Sequence, residues 1–406
     1  MEGMKLTLHN KITYSAFASF LFVIMTVTDM VFSESITLYK IPKCLMLVFF
    51  VFMSIWLLKD NKGRMTIPIT WSLYIPLVFT LYEFISCSWA VYPSVALSQM
   101  ITQVQLTILY AFVYILFRNE DHLDDYLRAI YLAGFLMGAY LLYTYGLTSI
   151  VSQMLSGVRV GGQIGNQNTI GMVCARSALI AFLYLITRKN TKYLISIALM
   201  TFFAFSTGSR KAILIIFIGV VALVALNYGI KRLAKALAWL LLIAVSAYLV
   251  MQLPFMSTAA ERLTDMLHGN LDASAIERNR LIRLGWEGIK ENFFFGYGLS
   301  NYGTIYPDTG YSHNNFIEIM FSLGFFGALI FYSMHVRAGV GTIKSIMRGA
   351  DCRYVLLLVL LLINIVFGWG MVQFYSRETW LFLAVILATS DRKLRENGVQ
   401  INGNYS

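Results

Sequence analysis

Ser312-His313-Asn314-Asn315 opens an apolar run that continues to Tyr332. Imidazole titrates near neutral pH, so His313 can serve as a general base. The start of a helix disfavours imidazolium, which keeps the ring in the neutral form a base requires. Asn314 and Asn315 can cap that helix or hold a substrate hydroxyl. A capping histidine facing lipid headgroups accounts for the same residues without any chemistry. By the topology given below, His9, His122 and His335 fall on the other side of the membrane, which leaves His268 as the rival base.

Three arginines share the side of His313. Thr207-Gly208-Ser209 breaks one apolar run and caps the next, which places Arg210 and Lys211 at a helix N-terminus. Such an end attracts anions, and a guanidinium binds phosphate in bidentate fashion, so Arg210 can cradle a pyrophosphate. A tight hairpin with a snorkelling Arg-Lys pair explains it equally. Residues 274–298 predict an amphipathic helix ended by a Gly-x-Gly turn at Gly296 and Gly298. Ile282, Trp286, Ile289 and Phe293 form its expected apolar stripe. Arg278 sits at the edge of that stripe, whereas Arg280 and Arg283 fall on the far side. An arginine on a buried face is expensive unless it meets an anion, and phospholipid headgroups are one such anion. Arg176 lies two turns inside a run capped by Asn166 and Asn168. A charge there marks a functional site or pairs structurally with Asp29 or Glu83.

These residues need elements that hold them at a membrane face. Of the 406 residues, 58% are hydrophobic and 13% are charged. A soluble domain carries roughly 25% charged residues, so the chain is an integral membrane protein. A span needs about 20 apolar residues. The expected fold is all-α and polytopic, with about twelve spans: 12–32, 41–58, 71–89, 97–117, 128–148, 168–187, 193–207, 211–229, 236–254, 314–334, 354–372 and 378–390. Residues 1–254 carry helices one to nine, 255–312 one large external loop, 313–390 the last three spans and 391–406 a cytoplasmic tail. Most of the 32 basic residues gather in the inner segments of this topology, as the positive-inside bias requires. The N-terminus is retained as a span and both termini face the cytoplasm. The external loop is an exception, since it carries Arg262, Arg278, Arg280, Arg283 and Lys290.

The net charge of +11 is dispersed between apolar runs, so membrane loops explain it and nucleic acid does not. Four cysteines form no CxxC pair, and no zinc or other metal site is expected. No paired external carboxylates, Walker loop, GxSxG or HExxH stands in the chain.

The order GNQN, TGSRKA, RxxLIxLGxxxIKENxxxGxG and SHNNFIEIMFSLGFFG, over about 165–330, resembles the O-antigen ligase and polymerase superfamily. The resemblance implies a GT-C-like membrane glycosyltransferase without metal or cofactor. Its substrates would be an undecaprenyl-pyrophosphate-linked oligosaccharide and a glycan acceptor. Its setting would be the outer face of the bacterial cytoplasmic membrane, with the lipid bilayer, a flippase and a chain-length regulator as partners. The family's arginines fall on Arg210 and Arg278, and its histidine-asparagine pair on His313 and Asn314. Arg176 and Glu318 are expected to support the site. Where the family has a proline before the Gly-x-Gly turn, this chain has Phe294-Phe295. Polymerisation of repeat units of a surface polysaccharide (O-antigen or capsule) is the expected reaction, and inversion the expected stereochemistry. Ligation of the finished glycan to a lipid A-core or other acceptor is the alternative. A multi-span transporter using Asp29, Glu83, Arg176 and Glu318 is the rival from another class.

Overall fold

The computed structural model describes residues 2–35, 37–60, 70–228, 273–307 and 309–403. Among these, the ordered elements are helices: α1 (Glu2–Phe32), α2 (Lys40–Asp60), α3 (Trp71–Ser86), α4 (Pro93–Asn119), α5 (Leu123–Tyr145), α6 (Leu147–Leu155), α7 (Gln167–Arg188), α8 (Lys192–Ser206), α9 (Arg210–Tyr228), α10 (Ala273–Glu291), α11 (Tyr302–Ile305), α12 (Asn315–Met347), α13 (Cys352–Phe367) and α14 (Arg377–Gly403). Six of them, α1, α2, α4, α5, α7 and α12, are long and apolar enough to cross a membrane, and α3, α8 and α13 are shorter apolar helices. The chain is a multi-pass membrane protein. The expected ninth span, 236–254, lies outside the described residues, as does His268. The tenth was expected to end near residue 334, but its helix continues to Met347.

The chain divides into two compact units. The first holds α1, α5 to α9, and parts of α2 and α13. Small residues let its helices approach closely. A Cβ on Gly219 of α9 would collide with Leu179 of α7 at 2.6 Å. On the opposite face of α7, Ser177 donates to the Tyr131 carbonyl of α5 at 2.8 Å.

The second unit contains α3, α4, α10 to α12 and α14. Its central helix, α12, is broken. Gly324 takes φ 65°, ψ −169°, which interrupts the helical hydrogen bonds. Backbone groups freed in a membrane helix must find partners inside the protein. Here the segment after α10 supplies them. The amides of Tyr297 and Gly298 donate to the carbonyls of Phe321 and Ser322, both at 2.9 Å, and Phe325 donates to the Phe293 carbonyl at 2.8 Å. Tyr82 of α3 takes the Leu323 carbonyl at 2.9 Å. The Phe294-Phe295 departure from the family pattern is absorbed in the same join, since Phe295 accepts from the Trp89 indole at 3.2 Å.

So close a join leaves no room for a side chain. A Cβ on Gly296 would stand 2.6 Å from the Phe321 carbonyl oxygen and 2.7 Å from the Gly324 nitrogen, with φ at +68°. Gly310 also has positive φ, +66°, but nothing lies within 4 Å of its Cβ position. Gly296→Ala is therefore expected to lower stability by more than about 2 kcal/mol, and Gly310→Ala by about 1. Thermal unfolding in detergent checks the difference between the two.

Candidate functional site

Four consecutive residues build the turn into α12, and three of them serve the architecture. The Asn314 side chain caps the helix, accepting from Phe316 N at 2.9 Å and Ile317 N at 3.2 Å. Such a cap contributes about 1 kcal/mol. Ser312 donates through its hydroxyl to the Asn314 carbonyl at 2.8 Å. Asn315 locks α12 to the segment before α14. Its Oδ1 accepts from Gln373 N at 2.7 Å and Phe374 N at 3.0 Å, and its amide donates to Tyr332 Oη at 2.8 Å. The cap falls to Asn314 and not to Asn315. Glu318, 2% exposed, accepts the Ser312 amide at 2.7 Å and so draws the turn down onto the first turn of the helix.

Two further groups stand at this turn. Asn314 Nδ2 is a buried donor with no hydrogen-bond partner among the described residues, on a residue 1% exposed. Leaving such a donor unsatisfied costs about 1–3 kcal/mol. His313 is partly exposed, lies 4.1 Å from the Tyr311 ring and adopts φ 56°. The left-handed region costs a non-glycine residue roughly 1–2 kcal/mol. The other described histidines whose side chains are placed do structural work. The His122 ring lies 2.9 Å from Ser15 Oγ and 3.0 Å from Asp125, and His335 packs on Phe331 and Tyr332.

Helix α10 lies against this end of α12. Its buried residues are Leu281, Gly285, Gly288 and Ile289, whereas Trp286 and Phe293 are 50% and 41% exposed. The expected stripe through Trp286 and Phe293 is thus displaced by about one position. Two glycines, invisible to a hydrophobic pattern, form the actual contact. A Cβ on Gly285 would strike Ile317, and one on Gly288 would come within 2.5 Å of Phe321. The two helices therefore run in the same direction. One more turn toward both N-termini sets Leu281 at the level of the His313 turn, with Arg278 on the same face beyond it. Arg278 is half-buried, while Arg280 and Arg283 are exposed, as their spacing predicts. Arg280 forks onto Glu277 at 2.6 and 2.9 Å. The Glu277 carboxyl is held below its ordinary value, chiefly by that hydrogen bond, with His313 adding to it. His313 is thus within electrostatic reach of the first turns of α10.

In the first unit, Thr207 ends α8, Gly208 turns with φ +60°, and Arg210 begins α9, exposed. Ser209 Oγ accepts the Ala212 amide at 3.3 Å. The sequence reading missed Arg159. Its Nε donates to the Thr207 carbonyl at 2.9 Å, its Nη2 donates to Asn168 Oδ1 at 2.9 Å, and its stem covers Gly208. The signal was available: an arginine in a short glycine-rich outer segment, like the ones already singled out. Asn166 caps α7 as expected, accepting from Asn168 N at 2.9 Å. Asn168 does not cap; it receives Arg159. The positive end of α7 already carries a carboxylate, since Glu34 accepts from Asn166 N at 2.7 Å and Thr169 Oγ1 at 2.8 Å. That end is satisfied within the protein. Arg176 lies in α7 within the field of Tyr126 of α5. Glu83, one of its two expected partners, is hydrogen-bonded instead to Gln103 in the second unit.

The described helices define a multi-pass membrane protein with a polar turn at one helix end. Residues 195–332, about a third of the chain, match the family described as O-antigen ligase. The match supports the O-antigen ligase and polymerase superfamily, whose members are glycosyltransferase-like enzymes, and it spans Arg210, Arg278, His313, Asn314 and Glu318 but not Arg176. No curated protein matches the chain.

If the turn at His313 is strained for the sake of its side chain, the strain is separable from the fold. His313→Gly is expected to unfold no earlier than the parent, because relief of about 1 kcal/mol of left-handed strain offsets the added freedom of the unfolded chain. A markedly lower melting temperature would show instead that the imidazole holds the turn together.

Proposed function

We propose that the protein transfers a glycan from a polyprenyl-pyrophosphate carrier to the hydroxyl of an acceptor glycan, on the outer face of the bacterial cytoplasmic membrane. The observation that carries this reading is the buried Nδ2 of Asn314, without a hydrogen-bond partner among the described residues, next in sequence to His313 and inside the family match. The acceptor oxygen attacks the anomeric carbon as His313 takes its proton. Asn314 Nδ2 donates to the incoming sugar, which satisfies the buried donor. The bond from anomeric carbon to phosphate oxygen breaks, and its electron pair leaves with the pyrophosphate. Arg278 is assigned to that leaving group, whose growing charge a guanidinium fork stabilises. Arg210, in the first unit, is proposed as a second pyrophosphate-binding arginine. Displacement from the opposite face inverts the anomeric carbon. Arg176 and Glu318 act at one remove, Glu318 by holding the turn.

The acceptor decides the reaction's name. A polymerase adds one carrier-linked repeat unit to another and needs a single class of substrate, which favours it here. The description of the matched family favours ligation to a separate lipid acceptor, which uses the same residues.

The test supplies carrier-linked oligosaccharide to purified protein, with and without a separate acceptor, and follows product length on a gel. A ladder from the donor alone is the expected result, and product only with added acceptor would assign a ligase. His313→Ala, folded, is expected to give no ladder. Arg210→Lys and Arg278→Lys are each expected to lose about 100-fold in rate, since a point charge cannot replace the fork. Arg280→Lys should stay within a few-fold. Equal loss at Arg280 would move the anion site to the other face of α10.

Asn314 offers a sharper separation of fold from chemistry. Asn314→Asp keeps the capping oxygen and removes the Nδ2 donor. It is expected to melt within about 1 kcal/mol of the parent and to transfer at least about tenfold more slowly. Full activity in that variant would mean the amide never meets the acceptor.

A further inference from the structure

A groove of about 650 Å³ runs along the second unit between α3, α12 and α14, at the end of α12 away from His313. Its walls are Trp71, Ile75, Leu329, Val336, Val340 and Leu394, and the charged groups at one end are Arg337, Lys344 and Asp391. From Leu329 to Val340 the helix rises about 16 Å, close to the roughly 15 Å of one leaflet of a bilayer core. Lys344 stands one further turn beyond, about 6 Å along the axis. Trp71, 71% exposed, begins α3 at the same end of the groove, where an indole sits at headgroup depth.

The charges are unequal. Asp391 accepts from Tyr114 at 2.7 Å and meets Arg337 at 3.4 Å, while Arg337 Nε donates to Ser72 Oγ at 2.6 Å. These contacts hold α3, α4, α12 and α14 together and take up the carboxylate. Lys344 is exposed and brings an excess positive charge to the mouth of the groove. The positive-inside bias sets this end at the cytoplasmic leaflet, where anionic lipids reside.

We propose that this groove is a binding site for one anionic phospholipid. Its acyl chain lies along Leu329, Val336 and Val340, and its phosphate rests on Lys344 beside the Arg337-Asp391 pair. The lipid fills a cleft that no described side chain fills and ties α12 to α3 and α14. A neutral phospholipid fits the apolar length but leaves Lys344 unmatched. A second copy of this chain would cover the walls but would not match their one-leaflet depth.

Native mass spectrometry of the detergent-purified protein tests this with palmitoyl-oleoyl phosphatidylglycerol and the phosphatidylcholine of the same chains. The parent protein is expected to retain one phosphatidylglycerol in preference to phosphatidylcholine, a comparison that needs no variant. Lys344→Glu is expected to reduce phosphatidylglycerol retention by about fivefold, and Lys344→Arg to restore it. Val336→Trp, which blocks the apolar length, should reduce retention of both lipids. Equal retention of the two lipids by the parent would overturn the proposal. So would unchanged selectivity in Lys344→Glu, or a lipid-free dimer in place of the lipid-bound chain.

Discussion

Inside a bilayer a polypeptide has no water to satisfy a stray amide or carbonyl. The second unit is organised around that constraint at one point, the break of α12 at Gly324. Among the described residues, the segment 293–298 reaches the carbonyls of Phe321 and Ser322 and the amide of Phe325, which accounts for its observed form. That join fixes where α10 ends, and the end of α10 fixes its register on Ile317 and Phe321. The next segment is tied in turn, with Val91 donating to the Tyr297 carbonyl at 3.1 Å and Tyr92 to Asn301 Oδ1 at 2.6 Å. The position of Arg278 relative to the His313 turn follows from these bonds, not from any contact of its own.

The same economy explains why the site is sparse. Ser312, Asn315 and Glu318 are committed to backbone partners, and the Oδ1 of Asn314 is committed to the cap. Beside them stand an imidazole in an unfavourable backbone region and one buried N–H without an acceptor among the described residues. The proposed function gives both a ligand to serve. The transport reading fares less well at these positions. It needs buried carboxylates available to a moving ion, whereas Glu318 holds a backbone amide and Glu83 is engaged by Gln103.

Much of this was legible in the sequence where local chemistry decides. The Asn166 cap, the Thr207-Gly208-Ser209 turn that starts α9 at Arg210, and the exposure of Arg280 against the partial burial of Arg278 all follow from residue type and helical spacing. What escaped had non-local causes. A phase drawn through Trp286 and Phe293 assumed that large apolar residues mark the buried face. In this helix the closest approach is made by Gly285 and Gly288, and the aromatic residues lie outside it. Gly324 sits within an unbroken apolar run, so only its distant partners at 293–298 reveal that the helix stops there. Arg159 was passed over because its importance rests on a carbonyl 48 residues later. The extension of α12 to Met347 was hidden because polar residues replace apolar ones once the helix leaves the hydrophobic layer.

The glycine contact between α10 and α12 has a further consequence. Where side chains interlock, a change on one helix can be met by repacking on the other. Where a glycine backbone rests directly on a neighbour's side chain, only that neighbour can give way, so the contact tolerates less change. The register of α10 on the first turns of α12 is then set by the fold. On the proposed function, such a fixed register suits the part of a substrate that never varies. If a lineage of these proteins handles many different glycans, variation in sugar preference must be written in other segments, and this pair of helices can stay unchanged while the rest diverges.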